Sequence, residues 1–296
     1  MHNRTFCLCD NDVIKWNSNG KMYCLHIQSD ADPENPRENE EPVDIMACWH
    51  TSYALGDHLA DETPERFWQR LVRENVPNRD ILTAAESGKL SWIRIVNNRG
   101  QYDIYETYTC GSEREECLEY EHVPAYAVAS YLLDDLTIED CMTLMAPYAE
   151  WLPLWLYDHS GITMSCGSRS YPYNDRWDSS CVGWILTLKK TILSATSVTE
   201  ENWREKAVLY MQSDVDTYDQ YLTGAVYGYT LYEADIPENG KVPRWIEEDS
   251  CWGFYGSDIF ANGIAECMPS SFRESIEQEL FETGGAKLYR TLCYEF

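Results

Sequence analysis

The stretch Tyr157-Asp158-His159-Ser160-Gly161 gathers a carboxylate, an imidazole and a hydroxyl in consecutive positions, the groups of a nucleophile–base–orienter relay. Consecutive strand residues point to opposite faces, so these neighbours cannot form that relay among themselves. The stretch reads instead as a strand ending in a turn, with Asp158 capping backbone groups and Gly161 taking a positive φ. A relay drawn from separate segments uses His159 as base, Cys181 or Cys251 as nucleophile, and Asp178, Asp219 or Asp249 as orienter. A metal-assisted hydrolase draws on Asp175, Asp178, Asp214, Asp216 and Asp219 with His159. With 50 Asp and Glu in 296 residues, such carboxylate sets arise from composition alone. The expectation is that the protein is not an enzyme.

Other reactive groups point the same way. No G-x-x-x-x-G-K-[ST] or G-x-G-x-x-G is present, so the chain lacks the glycine pattern that turns backbone N–H groups toward a phosphate. The 12 cysteines include no C-x-x-C; the closest spacings are Cys7-x-Cys9 and Cys110-x6-Cys117. Two ligands of one tetrahedral zinc come from pairs such as C-x-x-C, neither spacing makes a convincing pair, and no metal or cofactor is expected. The cysteines read as small buried apolar residues of a cytoplasmic chain.

The aromatic segments are more distinctive, with 21 Tyr and 11 Trp in the chain. Trp151 and Trp155, Tyr171, Tyr173 and Trp177, Tyr218 and Tyr221, Tyr227, Tyr229 and Tyr232, and the run Cys251–Tyr255 offer large, stiff contact area with a polar handle. Alternation along strands sends part of this set into the core and the rest outward. Trp151, Trp155, Tyr171, Tyr173, Trp177, Tyr227 and Tyr229 are the candidates for a partner or oligomer interface, with Glu34, Glu38, Glu113, Glu115 and Glu116 as acidic contacts.

Charge narrows the partner. Lys and Arg number 23, the net charge is −27, and residues 1–150 and 151–296 carry −16 and −11. A field spread over both halves repels a polyphosphate backbone, so nucleic acid is not expected as a direct partner. It also opposes self-association, so a homo-oligomer must bury strong apolar contacts. No apolar run reaches the roughly 18 residues of a membrane span. Met1 to Asp12 lacks the order of a signal peptide, and the reading is a cytoplasmic protein without membrane contact.

These groups are positioned by a mixed set of elements. Asn17-Ser18-Asn19-Gly20 and Asn97-Asn98-Arg99-Gly100 predict two hairpins, the second with strands over Ser91–Val96 and Tyr102–Tyr108. Thr63-Pro64-Glu65 and Thr137 with Glu139 and Asp140 predict helix starts, and Arg79–Glu86 a further helix. Prolines and acids over 29–44 predict a mobile loop. Residues 103–121, with seven acids against Arg114 alone, read as a solvated edge or loop.

Beyond residue 150, strands are expected over Leu154–Asp158, Ile162–Cys166, Val182–Leu188, Val226–Glu233 and Cys251–Tyr255. A helix is expected over about 200–213, with Trp203, Ala207 and Tyr210 on one side, and another from about Ser271. The expected class is α+β: an antiparallel sheet with flanking helices in an aromatic-rich domain of residues 147–296, and a smaller α/β-mixed acidic region of residues 1–146.

The blocks Trp155–Thr163, Arg176–Gly183, Tyr218–Gly228 and Asp249–Gly256, carrying YDHSG, WDSxxxG, YDQYLTGxVYG and DSCWGFYG, resemble proteins of bacteriophages and other mobile elements. The chain is similar in particular to the phage-encoded Gabija anti-defence family, the likeness covering about residues 150–260. The resemblance implies a non-enzymatic inhibitor that oligomerises around the host Gabija nuclease–helicase complex and prevents DNA binding and cleavage. It assigns no individual residue a role. Two other readings stay open: a Cys- or carboxylate-dependent hydrolase centred on His159, and a structural protein of the virion.

Overall fold

The computed structural model describes residues 8–38, 42–57, 62–110, 113–167, 178–194, 197–236 and 242–274. In chain order these form β1 (Val13–Ser18), β2 (Lys21–Ser29), β3 (Asp44–Cys48), α1 (Pro64–Asn75), α2 (Asn78–Glu86), β4 (Ile93–Asn98), β5 (Gln101–Cys110) and β6 (Glu113–Pro124). There follow α3 (Val128–Leu132), α4 (Ile138–Met145), β7 (Ala149–Asp158), β8 (Ile162–Cys166), β9 (Ser179–Leu188), α5 (Lys189–Ile192), α6 (Trp203–Leu222), β10 (Val226–Asp235), β11 (Ile246–Tyr255) and α7 (Ile264–Cys267). The sheets run β1-β2-β10-β11, β3-β9-β7-β8 and β4-β5-β6. The fold is α+β, with antiparallel sheets and helices.

Local signals placed many of these elements. β1 and β2 turn through Asn19 and Gly20 at φ 51° and 79°, and β4 and β5 through Arg99 and Gly100 at 56° and 90°. Two consecutive left-handed residues match the right-handed twist of the flanking strands, and Asn and Gly tolerate that region best. The Thr63 side chain accepts from the Arg66 amide, and Pro64 opens α1. Thr137 and Asp140 form a reciprocal capping box at α4. Phe67, Trp68, Leu71 and Val72 make the buried stripe of α1.

The division of the chain differs from the expected one. Instead of a boundary at 146/147, one compact unit takes residues 1–40, 157–165 and 214–296, and the other takes 41–156 and 166–213. The cause is strand pairing across the sequence: β2 bonds β10 from Tyr227↔Ser29 to Asp235↔Lys21, and β3 bonds β9 from Asp44↔Thr187 to Cys48↔Gly183. N-terminal strands thus complete sheets whose other strands lie in the C-terminal half.

The first unit packs Ile14, Trp16, Leu25, Ile27, Tyr229, Leu231, Ile259 and Phe272 into one core, with Trp16 stacked on Tyr23 at 5.1 Å. The second packs α1, α2, α3 and α4 with the β4-β5-β6 sheet through Phe67, Trp68, Ile81, Ile95, Ile104, Leu132 and Met145.

Three local expectations also change. The acidic segment after β2 is anchored over its described part: the Asp30 amide donates to the Val226 carbonyl, the Tyr255 hydroxyl to the Glu34 carbonyl, and Arg37 pairs with Asp214 at 3.3 Å with its own side chain only 4% exposed. The helix expected over 200–213 runs to Leu222, and its buried stripe is Trp203, Ala207, Met211, Val215 and Tyr218. Tyr210 lies at the margin of that stripe and is exposed. Of the edge or loop expected over 103–121, the structure has the edge: β6 is an exposed strand at the rim of the β4-β5-β6 sheet. A last helix begins at 270 and is described to 274.

Candidate partner-binding surface

The groups named for hydrolysis lie on several elements of the fold. His159 is exposed at the tip of the β7–β8 hairpin, its amide bonded to the Gly161 carbonyl at 3.1 Å, with Ser160 and Gly161 at φ 60° and 144°. The Cys181 S–H faces the Gly183 carbonyl at 3.7 Å, and desolvation raises its pKa, which disfavours the thiolate a nucleophile requires. The Cys251 S–H faces the Trp252 carbonyl at 3.8 Å.

The carboxylates are held in the same way. Asp219 Oδ1 accepts the Thr163 hydroxyl at 2.6 Å and the Met164 amide at 2.7 Å, tying α6 to β8 within the first unit. Asp249 accepts the Tyr229 hydroxyl at 2.7 Å, and Asp214 holds Arg37. Desolvation, with Asp219 nearby, raises the pKa of Asp216. Asp178 is half-buried, and Asp175 lies outside the described residues. Among the described residues, no three His, Cys, Asp or Glu are grouped to hold a metal ion.

The aromatic candidates divide by burial. Trp151 is half-buried, edge-on to Trp68 at 5.4 Å in a cluster with Trp49, Phe67 and Trp184. Trp155 is half-buried, as is Tyr227, whose hydroxyl donates to the Leu8 carbonyl at 3.4 Å. Tyr229 is 1% exposed, so its side chain serves the core and not a contact surface. Burial is the stronger influence here because Gly228–Leu231 of β10 are buried without a break, and a strand covered on both faces loses the in–out alternation of an exposed one. Tyr171, Tyr173 and Trp177 lie outside the described residues. The exposed aromatics instead include Tyr108, Tyr126, Tyr131, Tyr210 and Trp252.

All five acidic candidates are exposed. Glu34 lends its carbonyl to Tyr255, and Glu38 accepts from the Asn35 side chain at 3.2 Å. Glu113, Glu115 and Glu116 lie on β6, where the geometry is more informative. β4 pairs with β5 only from Ile93↔Glu106 to Asn98↔Gln101. Past the Thr107 amide, which still donates to the Trp92 carbonyl at 2.7 Å, β5 and β6 continue as two strands alone, to Cys110↔Glu113.

Residues directly opposite in an antiparallel pair share a face. One face of this ribbon therefore carries Glu106, Tyr108, Cys110, Glu113, Glu115 and Cys117, and the other carries Tyr105, Thr107, Thr109, Glu116 and Leu118. On the second face, Glu116 is bound by Arg94 through bonds of 2.8 and 2.9 Å, and the guanidinium lies over the Tyr105 ring at 4.4 Å. That hydrogen bonding lowers the Glu116 pKa. On the first face, Glu115 accepts the Tyr108 hydroxyl at 2.9 Å, which raises the Tyr108 pKa.

Glu106 and Tyr108 were not singled out from the sequence. Their membership depends on β6 being a strand, and its apolar signal, Leu118, Tyr120 and Val123, is too sparse against the acids around it. Among the described residues, no helix is long and apolar enough to cross a membrane. Comparison with protein-family models, curated proteins and solved structures finds no match to this chain.

Proposed function

We propose that this protein is a phage anti-defence inhibitor that binds the host Gabija nuclease–helicase complex and blocks its DNA binding and cleavage. The observation that carries the reading is the exposed, carboxylate-bearing β5–β6 ribbon in a chain of net charge −27. A protein that handles DNA presents a basic surface, and an acidic partner is steered onto it by the field that would otherwise draw in the nucleic acid. The inhibitor acts in the host cytoplasm, as a homo-oligomer, by occupying a surface and without chemistry of its own. It touches neither nucleic acid nor membrane.

The test mixes the purified protein with a Gabija complex and follows DNA cleavage and co-elution. The expected result is stoichiometric loss of cleavage with a stable complex, and slower association as salt is raised. Unchanged cleavage with no complex overturns the proposal. Substoichiometric inhibition abolished by His159→Ala, in a variant that still folds, would favour hydrolysis instead.

A further inference from the structure

We infer that the acidic face of the β5–β6 ribbon, bearing Glu106, Tyr108, Glu113 and Glu115, is the seat for a lysine- and arginine-rich protein surface, and that the opposite face is not. This deepens the inhibitor reading and rests on it for the identity of the partner, though not for its chemistry.

The two faces differ in origin as well as in charge. Tyr102 and Ile104, four and two positions before Glu106 on β5, are buried in the core of the second unit. Side chains along a strand alternate, so Tyr102, Ile104, Glu106, Tyr108 and Cys110 share one face. The acidic face is thus the outward continuation of the packed side of the sheet, past the point where β4 and the helices cover it.

A two-stranded ribbon without a third strand or a covering layer has little to stabilise it in water. Here residues 108–110 and 113–119 carry no buried position among those described. Such a ribbon gains most from a partner that supplies the missing layer, and its side chains state what that layer must be. Glu106, Glu113 and Glu115 stand in no ion pair among the described residues, whereas Glu116 on the other face already has Arg94. Three uncompensated carboxylates around an exposed tyrosine match a surface of guanidinium and ammonium groups, with the Tyr108 ring offering a stacking face to Arg. A second copy of this acidic chain would place like charges together, which favours a basic partner over self-pairing at this face.

The experiment compares three proteins with wild type: Glu106→Gln/Glu113→Gln/Glu115→Gln on the acidic face, Glu116→Gln on the other, and Glu65→Gln/Glu201→Gln/Glu205→Gln as an equal charge change at exposed sites elsewhere. Each is titrated into DNA cleavage by a Gabija complex and, separately, into binding of a labelled arginine-rich peptide. All changes are at exposed positions and conserve shape, and circular dichroism confirms folding.

The inference expects the acidic-face variant to need about tenfold more protein for half-inhibition and to lose peptide affinity by a similar factor, shrinking at high salt. The other two variants stay within about twofold. An acidic-face variant that inhibits like wild type overturns the inference while leaving the inhibitor reading intact. Wild type that fails to inhibit overturns the inhibitor reading, and the peptide decides the face: equal losses in the acidic-face and distant variants overturn it, a selective loss sustains it.

Discussion

At Tyr229 the hydroxyl is buried and donates to Asp249. Burial, then that hydrogen bond, raises its pKa far above the usual tyrosine value. Because the folded-state pKa is raised, the stabilisation is complete below the unfolded value of about 10 and is lost as pH rises toward the folded one. Tyr229→Phe should therefore cost about 1 kcal/mol at neutral pH, the typical net worth of such a bond. The gap from wild type should narrow above about pH 10, where unfolded tyrosine ionises. Urea midpoints of both proteins across that range check it, and a gap that widens with pH contradicts it. Single residues were also where the sequence was least legible. Its alternating neighbours suggested that part of Tyr227–Tyr232 would face outward, but what packs on a sheet's faces decides burial, and the core that Tyr229 and Leu231 share with Leu25, Ile27, Ile259 and Phe272 is drawn from distant parts of the chain that no local window contains.

Elements were legible where the signal is local. Asn19-Gly20, Arg99-Gly100, Thr63-Pro64 and Thr137-Asp140 mark turns and caps through backbone conformation and hydrogen bonds a few residues apart, and the structure has all of them. β6 was left open between edge and loop because its seven-acid neighbourhood hides a strand whose partner is supplied by register with β5. Two glycines show how close that kind of pairing brings the chain. A Cβ on Gly183 would stand 1.9 Å from the Ala47 carbonyl oxygen of the paired strand β3. A Cβ on Gly228 would stand 2.1 Å from the Trp252 ring. The backbone of a ladder cannot retreat without breaking its register, whereas Trp252 is half in solvent and can swing away. Gly183→Ala should thus destabilise by about 3 kcal/mol or more, and Gly228→Ala by about 1 kcal/mol with a shift in tryptophan emission. Comparable losses from the two, in denaturant titrations, would show that the ladder yields as easily as a side chain.

Across the whole molecule, the change of character near Pro147 suggested a boundary that the topology does not respect. Composition follows the chain, while the units follow strand pairing, and here pairing crosses the midpoint twice. A cut at 146/147 leaves the C-terminal piece with β10 but without β2, and with β9 but without β3. It exposes Tyr229 and Leu231 where Leu25 and Ile27 should lie against the same core. Residues 41–213, by contrast, contain every segment of the second unit, with 157–165 the only stretch of that span belonging to the first. Its core of Phe67, Trp68, Ile81, Ile104, Leu132, Met145 and Leu186 is drawn entirely from within those limits. The 41–213 fragment should therefore unfold cooperatively in urea with dispersed amide resonances, as a domain with its own core does. The 147–296 fragment should show neither feature and should bind dyes that report exposed apolar surface. A cooperative transition from 147–296 alone would mean that β10 and β11 hold a core without β2, and the interleaved division of the chain would have to be abandoned.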